Sequence, residues 1–285
     1  MKILVTGSSG NVGRHVVNEL SRLGEEVVAA GTDVEKLGKM FDGGVSVAQF
    51  DFMRPETYSN ALRDIDRVFL MRPPHLGKPE DIYPFIDSLK EHSIRLVSFL
   101  SLMGIEKNPI PPHHRIEKRI EASGIPFVHI RPGFFMQNIT GLHLKEIRER
   151  DTIFIPAGES RTSLIDGSDV GLAAAAVLHE PERHMNSAYT ITGPEAMDYY
   201  QAAKVLSDLT GRKITYGKPG ILKYRNYCIN ERGLERKFAN VTAALYLMTR
   251  MGTAEAVTDD FFRLTGRQPK TFADFVMENL KTFER

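Results

Sequence analysis

Several features that mark common protein classes are scarce in this chain. Cys228 is its only cysteine, which excludes an internal disulfide and a metal site made of several cysteines, so we expect a passive helix residue there. No apolar run approaches the ~20 residues that a membrane-spanning helix needs. Lysine and arginine number 37 against 36 acidic residues, and this balance does not favour nucleic acid as a partner. A strand expected from residue 2 leaves no room for a signal peptide, so we expect a cytoplasmic protein.

What the sequence does contain is a glycine-rich turn close to its N-terminus. A short apolar strand at residues 3–5 leads into Gly7, Gly10 and Gly13, and a helical pattern follows up to Leu23. In such turns the first glycine allows the tight bend, the second lets backbone N–H groups approach phosphates, and the third lets the helix pack on the strand. This context predicts that a dinucleotide pyrophosphate binds at the helix N-terminus.

Short apolar segments alternate with helical patterns through the first half of the chain. Because apolar strands joined by helices form parallel sheets covered on both faces, we predict an α/β fold with a Rossmann-type doubly wound parallel sheet. Ligands of such sheets bind outside the carboxyl ends of the strands. The predicted strands are 3–6, 26–30, 45–50, 67–71, 96–101 and 127–131, and the predicted helices are 11–23, 55–62, 80–92 and 113–123.

Helical patterns dominate the second half of the chain. We therefore predict a dinucleotide-binding domain over residues 1–150 and a smaller, mostly helical substrate subdomain over residues 151–285. No low-complexity linker separates the two halves, so the subdomain is expected to pack directly on the first domain, with some interleaving. Helices are predicted at 170–178, 241–251 and 254–265, and capping-box spacings at Asp198 with Gln201 and at Thr271 with Asp274.

Ordered motifs along the whole chain carry a family resemblance. The glycine turn at 6–13, His-Arg-Ile-Glu-Lys at 114–118 and Arg-Pro-Gly-Phe-Phe at 131–135 follow one another. With further matches, they make the chain resemble the NmrA-like family of atypical short-chain dehydrogenases/reductases. The resemblance implies NAD(P) as the cofactor, and the family includes NAD(P)H:quinone oxidoreductases and redox-sensing regulators that bind the cofactor without turnover. The further matches are 123–125, 136–138, 165–166, 169–171, 189–195 and 264–269.

The resemblance also implies how the cofactor lies along the sheet edge: pyrophosphate on the glycine turn, adenine beyond the third strand, ribose and nicotinamide beyond the fourth, with the turn after the sixth strand closing over the nicotinamide. Asp51 could instead be a turn former, and Arg72 a solvated loop cation. Phe134 and Phe135 could be core residues, and Asn138 could lie on a helix surface. The implied cofactor contacts are Gly7, Ser8, Ser9, Gly10, Asn11, Val12, Gly13, Thr32, Asp51, Phe52, Met71, Arg72, Pro73, Lys118, Pro132 and Phe135, and the implied substrate contacts are Phe134, Phe135 and Asn138.

The sequence leaves open whether the cofactor is NAD or NADP. Many relatives place arginine where this chain has Thr32, so the expected clamp for a 2′-phosphate is missing. Asp33 loosely has the spacing of an acid that binds a free ribose hydroxyl, but it could equally cap the next helix. Arg14 and Lys36 could still contact a phosphate.

The catalytic set of the wider superfamily is incomplete here. Its catalytic members use Ser, Tyr and Lys, with Lys four residues after Tyr. Ser101 and Lys118 match this set, but His114 takes the place of the tyrosine. His114 could be a substitute acid, a plain helix residue or a cofactor contact, and Lys118 could contact the ribose or be solvated. The adjacent His113 and His114 make no metal site, because no third ligand has a suitable spacing.

A missing tyrosine favours a reaction that needs little proton chemistry from the protein. In quinone reduction the hydride leaves the nicotinamide directly, and the protein supplies orientation and an apolar slot. We therefore predict an NAD(P)H-dependent oxidoreductase acting on a quinone-like or other conjugated small molecule. The alternative is a non-catalytic NAD(P)-binding redox sensor. A homodimer is the candidate assembly, and neither nucleic acid nor a membrane is expected as a partner.

Overall fold

Strands and helices alternate through the first part of the chain, as the apolar pattern predicts. The structure is a computed structural model that describes residues 1–41 and 43–285. Its strands are β1 (Lys2–Thr6), β2 (Glu26–Gly31), β3 (Ser46–Gln49), β4 (Ile65–Met71), β5 (Leu96–Leu100), β6 (Phe127–Pro132), β7 (Phe134–Phe135), β8 (Thr152–Ile153), β9 (Thr162–Ile165), β10 (Ser187–Ile191), β11 (Ala196–Met197) and β12 (Thr215–Tyr216). Its helices are α1 (Gly13–Arg22), α2 (Val34–Met40), α3 (Tyr58–Ala61), α4 (Tyr83–Leu89), α5 (Pro112–Ser123), α6 (Gln137–Thr140), α7 (Leu144–Arg150), α8 (Gly167–His179), α9 (Tyr199–Thr210), α10 (Ile221–Asn230), α11 (Arg236–Arg250), α12 (Asp260–Thr265) and α13 (Phe272–Glu278).

Within the described residues, seven parallel strands form the central sheet in the order β10-β6-β5-β4-β1-β2-β3. β1 lies in its interior, paired with β2 on one side and with β4 on the other. The order along the sheet therefore reverses between β1 and β4, and ligands of such sheets bind in the crevice that this reversal opens at the carboxyl ends. The predicted Rossmann-type doubly wound sheet is confirmed.

The prediction was wrong in some details. The pattern predicted no strand at β10, which pairs with β6 from Ser187 to Ile191. The predicted helix at 80–92 is shorter, because α4 is flanked by 3₁₀ turns at Pro79–Asp81 and Lys90–His92. Helix α1 begins at Gly13, so residues 11 and 12 belong to the turn before it.

The chain divides into two compact units that interleave along the sequence. The first comprises Met1–Pro132, Gly167–Ile191 and Asp260–Arg267, and it contains the central sheet. The second comprises Gly133–Asp166, Thr192–Asp259 and Gln268–Arg285. The first unit thus takes segments from beyond residue 150, which itself ends α7 in the second unit.

In the first unit, one face of the sheet buries apolar side chains against α3, α4 and α5. Four aromatic rings form the densest part of this core, with centroid separations of 4.7 to 5.8 Å among Phe50, Phe52, Tyr58 and Phe85. Such a core fixes the strands whose carboxyl ends carry the predicted site.

The second unit has an aromatic core of its own, in which the helices α9, α10, α11 and α13 bury tyrosine and phenylalanine side chains. Cys228 is buried in this core, on α10. Both predicted capping boxes are confirmed, at the starts of α9 and α13. Among the described residues, no helix combines the length and the apolar character that crossing a lipid bilayer requires.

Candidate functional site

The glycine turn adopts the geometry expected of a phosphate-binding turn. Gly7 has a φ of +61°, a conformation that residues with a side chain rarely adopt. Its carbonyl accepts the N–H of Gly10 at 2.9 Å, which closes the turn. A Cβ on Gly13 would lie 2.3 Å from the Gly7 oxygen, so only glycine allows α1 to begin this close to the turn.

Two buried hydroxyl groups fix this turn to the neighbouring strands. Thr6 Oγ1 donates to the Phe69 carbonyl at 3.0 Å and accepts the Met71 N–H at 3.0 Å. Ser8 Oγ donates to the Ala30 carbonyl, also at 3.0 Å. Ser8 therefore positions the turn through its side chain, whereas the predicted contacts Ser9 and Asn11 are exposed and Val12 is buried.

The N-terminus of α1 has no side-chain cap among the described residues. Val12 occupies the N-cap position, and no side chain of the described residues forms a cap hydrogen bond there. The first N–H groups of a helix have no partner inside the helix, and together with the helix dipole they favour an anion. This terminus is therefore suited to a phosphate group.

The residues beyond β4 fold back over the turn. The side chain of Met71 covers Gly7, where an added Cβ would lie 2.5 Å from its Sδ and Cγ atoms. The guanidinium of Arg72 donates to the carbonyls of Pro73, at 3.3 Å, and Leu76. Burial lowers the pKa of Arg72. Arg72 is thus a partly buried cation that orders its own loop, in contrast to the solvated interpretation.

Beyond β2 and β3 the predicted adenine and ribose contacts form local turns. Asp33 caps α2, since its Oδ1 accepts the Lys36 N–H at 2.9 Å, and the carbonyl of Thr32 accepts Gln49 Nε2 at 3.1 Å. Asp51 Oδ1 accepts the Met53 N–H at 2.9 Å, as expected of a turn former. Phe52 belongs to the aromatic core of the first unit.

The structure does not bring the three predicted catalytic residues together through direct contacts. Ser101 is buried at the end of β5, where its hydroxyl lies beside Glu117 and helps to keep that carboxyl ionised. His114 Nδ1 lies 3.0 Å from the Ile105 carbonyl oxygen. The side chain of Lys118 is 61% exposed, and its ammonium pairs with Glu121 at 2.7 Å.

The inward face of α5 instead presents residues that the prediction passed over. Arg131 donates to both carboxylate oxygens of the buried Glu117, at 3.0 and 2.7 Å, and its third nitrogen lies 3.2 Å from Glu106. Burial raises the pKa of Glu117, but the hydrogen bond from Arg131, with His129 and Ser101 adding to it, outweighs burial and holds this pKa below its usual value. The pair is therefore ionic.

His113 lies on the same face of α5. Its ring stacks on Phe99 with a centroid separation of 6.0 Å, and its Nδ1 is buried without a hydrogen-bond partner among residues 1–41 and 43–285. Burial and, secondarily, the charge of Arg72 lower its pKa to about 3, against an opposing effect of Glu117. Its imidazole is therefore neutral near pH 7.

The sequence contains a signal for this inward face. Ile116 and Ile120 are the large apolar residues of α5, and His113 and Glu117 share their stripe at a spacing of three and four residues. His114 and Lys118 lie one position further round the helix. The superfamily spacing therefore selected the neighbouring face.

Three possible metal ligands lie close together on α5 and β6. Within the described part of the chain, donor atoms of Glu117, Glu121 and His129 lie within 4.8 Å of one another. Both carboxylates are already paired, with Arg131 and Lys118 respectively. A metal ion would have to compete with these cations, so we retain the prediction of no metal.

In the second unit, the predicted substrate contacts are half-buried. Phe134 and Phe135 form β7, which pairs with β9, and Phe134 lies 6.0 Å from the ring of Tyr246. The carbonyl of Asn138 accepts the His143 N–H at 3.0 Å. Phe134 thus contributes to the core of this unit. In the first unit, Pro132 ends β6 and accepts the Met103 N–H at 3.0 Å.

Comparison with known proteins places this geometry in a family. The model of the NmrA-like family matches residues 1–222. The chain is 31% identical to the Prestalk A differentiation protein A of Dictyostelium discoideum, over 98% of this chain and 92% of that protein. It is 29% identical to an NAD(P)H azoreductase of Xenophilus azovorans, over 99% of both.

Solved structures share the fold at lower identity. An NADPH-dependent quinone oxidoreductase of Escherichia coli, complexed with NADPH, superposes with a TM-score of 0.90 at 21% identity, over 98% of this chain and all of that one. The triphenylmethane reductase of Citrobacter sp., complexed with NADP(H), superposes with a TM-score of 0.87 at 23% identity, over 98% of this chain and 99% of that one. The family match over most of the chain, supported by the Dictyostelium relative, establishes that this chain belongs to the NmrA-like family.

Proposed function

We propose that this protein is an NAD(P)H-dependent oxidoreductase that transfers a hydride to a quinone-like or other conjugated small molecule. The observation that carries the proposal is the uncapped N-terminus of α1 against the glycine turn, where Gly13 leaves no space for a Cβ. The azoreductase of Xenophilus azovorans, which is similar over nearly its whole length, is named for the same cofactor and for a conjugated acceptor.

The residues at the carboxyl edge of the sheet fit a dinucleotide. The turn from Gly7 to Gly13 would hold the pyrophosphate, and Met71 and Arg72, beyond the next strand, would border the nicotinamide half. When bound, the reduced nicotinamide supplies the hydride. The chain's own contribution is orientation, together with the neutral and ionic groups of α5.

The proposed contacts of individual residues follow the family resemblance. Ser101, His114 and Lys118 are kept as candidates for acceptor and ribose contacts, and Asp51, Pro132 and Phe135 as candidates for cofactor contacts. Phe134 and Asn138 are kept as candidates for the acceptor. Thr32 leaves the preference between NAD and NADP open, because Asp33 serves as a helix cap.

The test is oxidation of each reduced cofactor by a panel of a simple benzoquinone, an azo dye and a cationic triphenylmethane dye. We expect turnover with at least one acceptor and a preference for one cofactor. No turnover with either cofactor across the panel would exclude the proposal. Binding that discriminates oxidised from reduced cofactor, without turnover, would support the redox sensor instead.

The remaining assignments concern partners and location. We propose a small-molecule substrate and no nucleic-acid partner, and we keep a homodimer and a cytoplasmic location as expectations. Light scattering on the purified protein gives the oligomeric state directly, and a monomer at micromolar concentration would exclude the dimer.

A further inference from the structure

The imidazole of His113 has a hydrogen-bonding capacity that the folded chain does not use. Its Nδ1 is buried and makes no hydrogen bond within residues 1–41 and 43–285. A buried polar atom without a partner is destabilising, and native proteins rarely keep one without a reason. His114 and Lys118 already have partners, whereas the Ser101 hydroxyl beside Glu117 is, like His113 Nδ1, without a hydrogen-bond partner among the described residues.

The position of His113 in the fold indicates which part of a ligand it would meet. It is the second residue of α5, the helix that follows β5, and so it lies at the carboxyl end of that strand. Arg72, directly after β4, is close enough for its charge to affect the imidazole. In a doubly wound sheet the strands on this side of the reversal bind the nicotinamide half of the dinucleotide.

We propose that His113 determines acceptor specificity by donating a hydrogen bond to a carbonyl oxygen of the acceptor. The site would then favour quinone-type acceptors over hydride acceptors that carry no oxygen. This inference rests on the proposed function.

The chemistry of quinone reduction explains why such a donor helps. The hydride leaves the cofactor and adds to the quinone, negative charge develops on a quinone oxygen, and a proton from water completes the hydroquinone. A neutral imidazole N–H stabilises that oxygen without changing its own protonation. A triphenylmethane cation accepts hydride at carbon and needs no proton, so it gains nothing from this donor.

Two substitutions separate hydrogen bonding from packing. His113→Phe keeps a ring against Phe99 and removes both nitrogens, whereas His113→Gln restores an N–H donor. His92→Gln serves as the control, because His92 lies before β5, at the opposite edge of the sheet. We expect kcat/KM for benzoquinone to fall about ten- to hundredfold in His113→Phe and to recover largely in His113→Gln. Turnover of a cationic triphenylmethane dye should change less than about twofold.

Binding and pH dependence provide readouts other than turnover. Calorimetry should show weaker hydroquinone binding to the His113→Phe complex with oxidised cofactor, and unchanged binding of the cofactor itself. The benzoquinone kcat/KM of the native protein should show no titration of His113 between about pH 5 and pH 8, since the imidazole is neutral throughout this range. A change in kcat/KM with an apparent pKa near 6.5 that is absent in His113→Phe would show that His113 donates a proton instead.

Other results would overturn the inference. Equal losses with quinone and dye, an unchanged quinone rate in His113→Phe, or loss of cofactor affinity would each assign His113 to packing or to cofactor binding. If the dye is not reduced at all, the quinone rates and hydroquinone affinities decide. A native protein that oxidises neither cofactor removes the proposed function and this inference together, whereas a His113→Phe variant with the native kcat/KM for benzoquinone removes only the inference.

Discussion

At Gly10 and Gly13, a single added side chain tests the cofactor site directly. A Cβ on Gly10 would lie 3.1 Å from the Gly7 oxygen, and one on Gly13 would lie 2.3 Å from it. Gly10→Val and Gly13→Ala should therefore weaken cofactor binding at least about tenfold, because the turn can no longer approach the phosphates. Calorimetric titration with both cofactors measures the effect.

A glycine on α2 provides the matched control for this prediction. Gly38 is exposed, and nothing lies within 4 Å of the position that its Cβ would take. Gly38→Ala should leave cofactor affinity unchanged and raise the free energy of unfolding by roughly 0.5–1 kcal/mol, since alanine favours the helix. Unchanged affinity in Gly13→Ala would show that the cofactor binds elsewhere.

The buried Glu117–Arg131 pair allows a prediction about stability. Glu117→Gln removes the main counterion of Arg131 and should lower the free energy of unfolding by about 3–5 kcal/mol at pH 7. Lys204→Gln, which breaks the exposed pair with Asp208, should cost less than about 1 kcal/mol. Urea unfolding measures both variants.

The sign of the pH dependence follows from the lowered pKa of Glu117. Its folded pKa lies below the usual value of 4.5, so its ionised form stabilises the native state above that pH. This contribution disappears as the pH falls through the folded pKa. The difference in the free energy of unfolding between the native protein and Glu117→Gln should therefore become smaller in acid. A difference that is small at pH 7 would contradict an ionic pair.

Individual residues also show where sequence reasoning stops. The role of Gly7, Gly10 and Gly13 could be predicted from the sequence because it is local: their spacing alone defines the turn. The face of α5 could not be chosen by the superfamily spacing, which selected His114 and Lys118. Only the burial of Ile116 and Ile120 orients the helix, and it turns His113 and Glu117 inward. Burial depends on neighbours that lie far away in the sequence.

Among the elements, the start of α9 gives a direct test of a predicted cap. Asp198 Oδ1 accepts the Gln201 N–H at 2.8 Å, and Gln201 Oε1 accepts the Asp198 N–H at 2.9 Å. Asp198→Ala should cost about 1 kcal/mol of unfolding free energy, and Asp198→Ser should restore most of it. The exposed neighbour Glu195 serves as a control, because Glu195→Ala should stay within about 0.5 kcal/mol. Equal effects at both positions would argue against the cap.

The six strands predicted from the sequence and the missed β10 differ in a physical property. The inner strands β1, β4 and β5 are buried on both faces, so they appear as largely apolar runs. β10 is an edge strand in which only Ile191 is buried, and its sequence Ser-Ala-Tyr-Thr-Ile gives no such run. Its pairing with β6 is determined by tertiary contacts.

At the scale of the whole molecule, the division into units follows contacts that no local pattern reveals. Gly167–Ile191 and Asp260–Arg267 belong to the first unit although long segments of the second precede them. The boundary predicted from the sequence divides the chain at one position, whereas the two units of the structure each contain three separate segments. The expectation of interleaving was qualitative for this reason.

Buried histidines make the stability of the whole molecule depend on pH. His143, fully buried in the second unit, lies 2.5 Å from the hydroxyl of Tyr246 through its Nε2. Burial, with the charge of Arg232 as a second cause, lowers its pKa to about 3. As the pH falls, His143 of the unfolded chain takes up a proton near pH 6.5, whereas in the folded chain it remains neutral down to about pH 3. The stabilisation is therefore complete above pH 6.5 and declines as the pH falls, by about 1.4 kcal/mol per unit for this residue.

We expect the free energy of unfolding to fall between pH 7 and pH 5, with His143 contributing about 2 kcal/mol of the decrease. His143→Gln keeps a polar partner for Tyr246 but cannot titrate, so its decrease over the same interval should be smaller by that amount. His75→Gln, at an exposed histidine, should reproduce the native decrease. Urea titrations of the three proteins at the two pH values decide the matter, because identical decreases in all of them would mean that folding does not shift the pKa of His143.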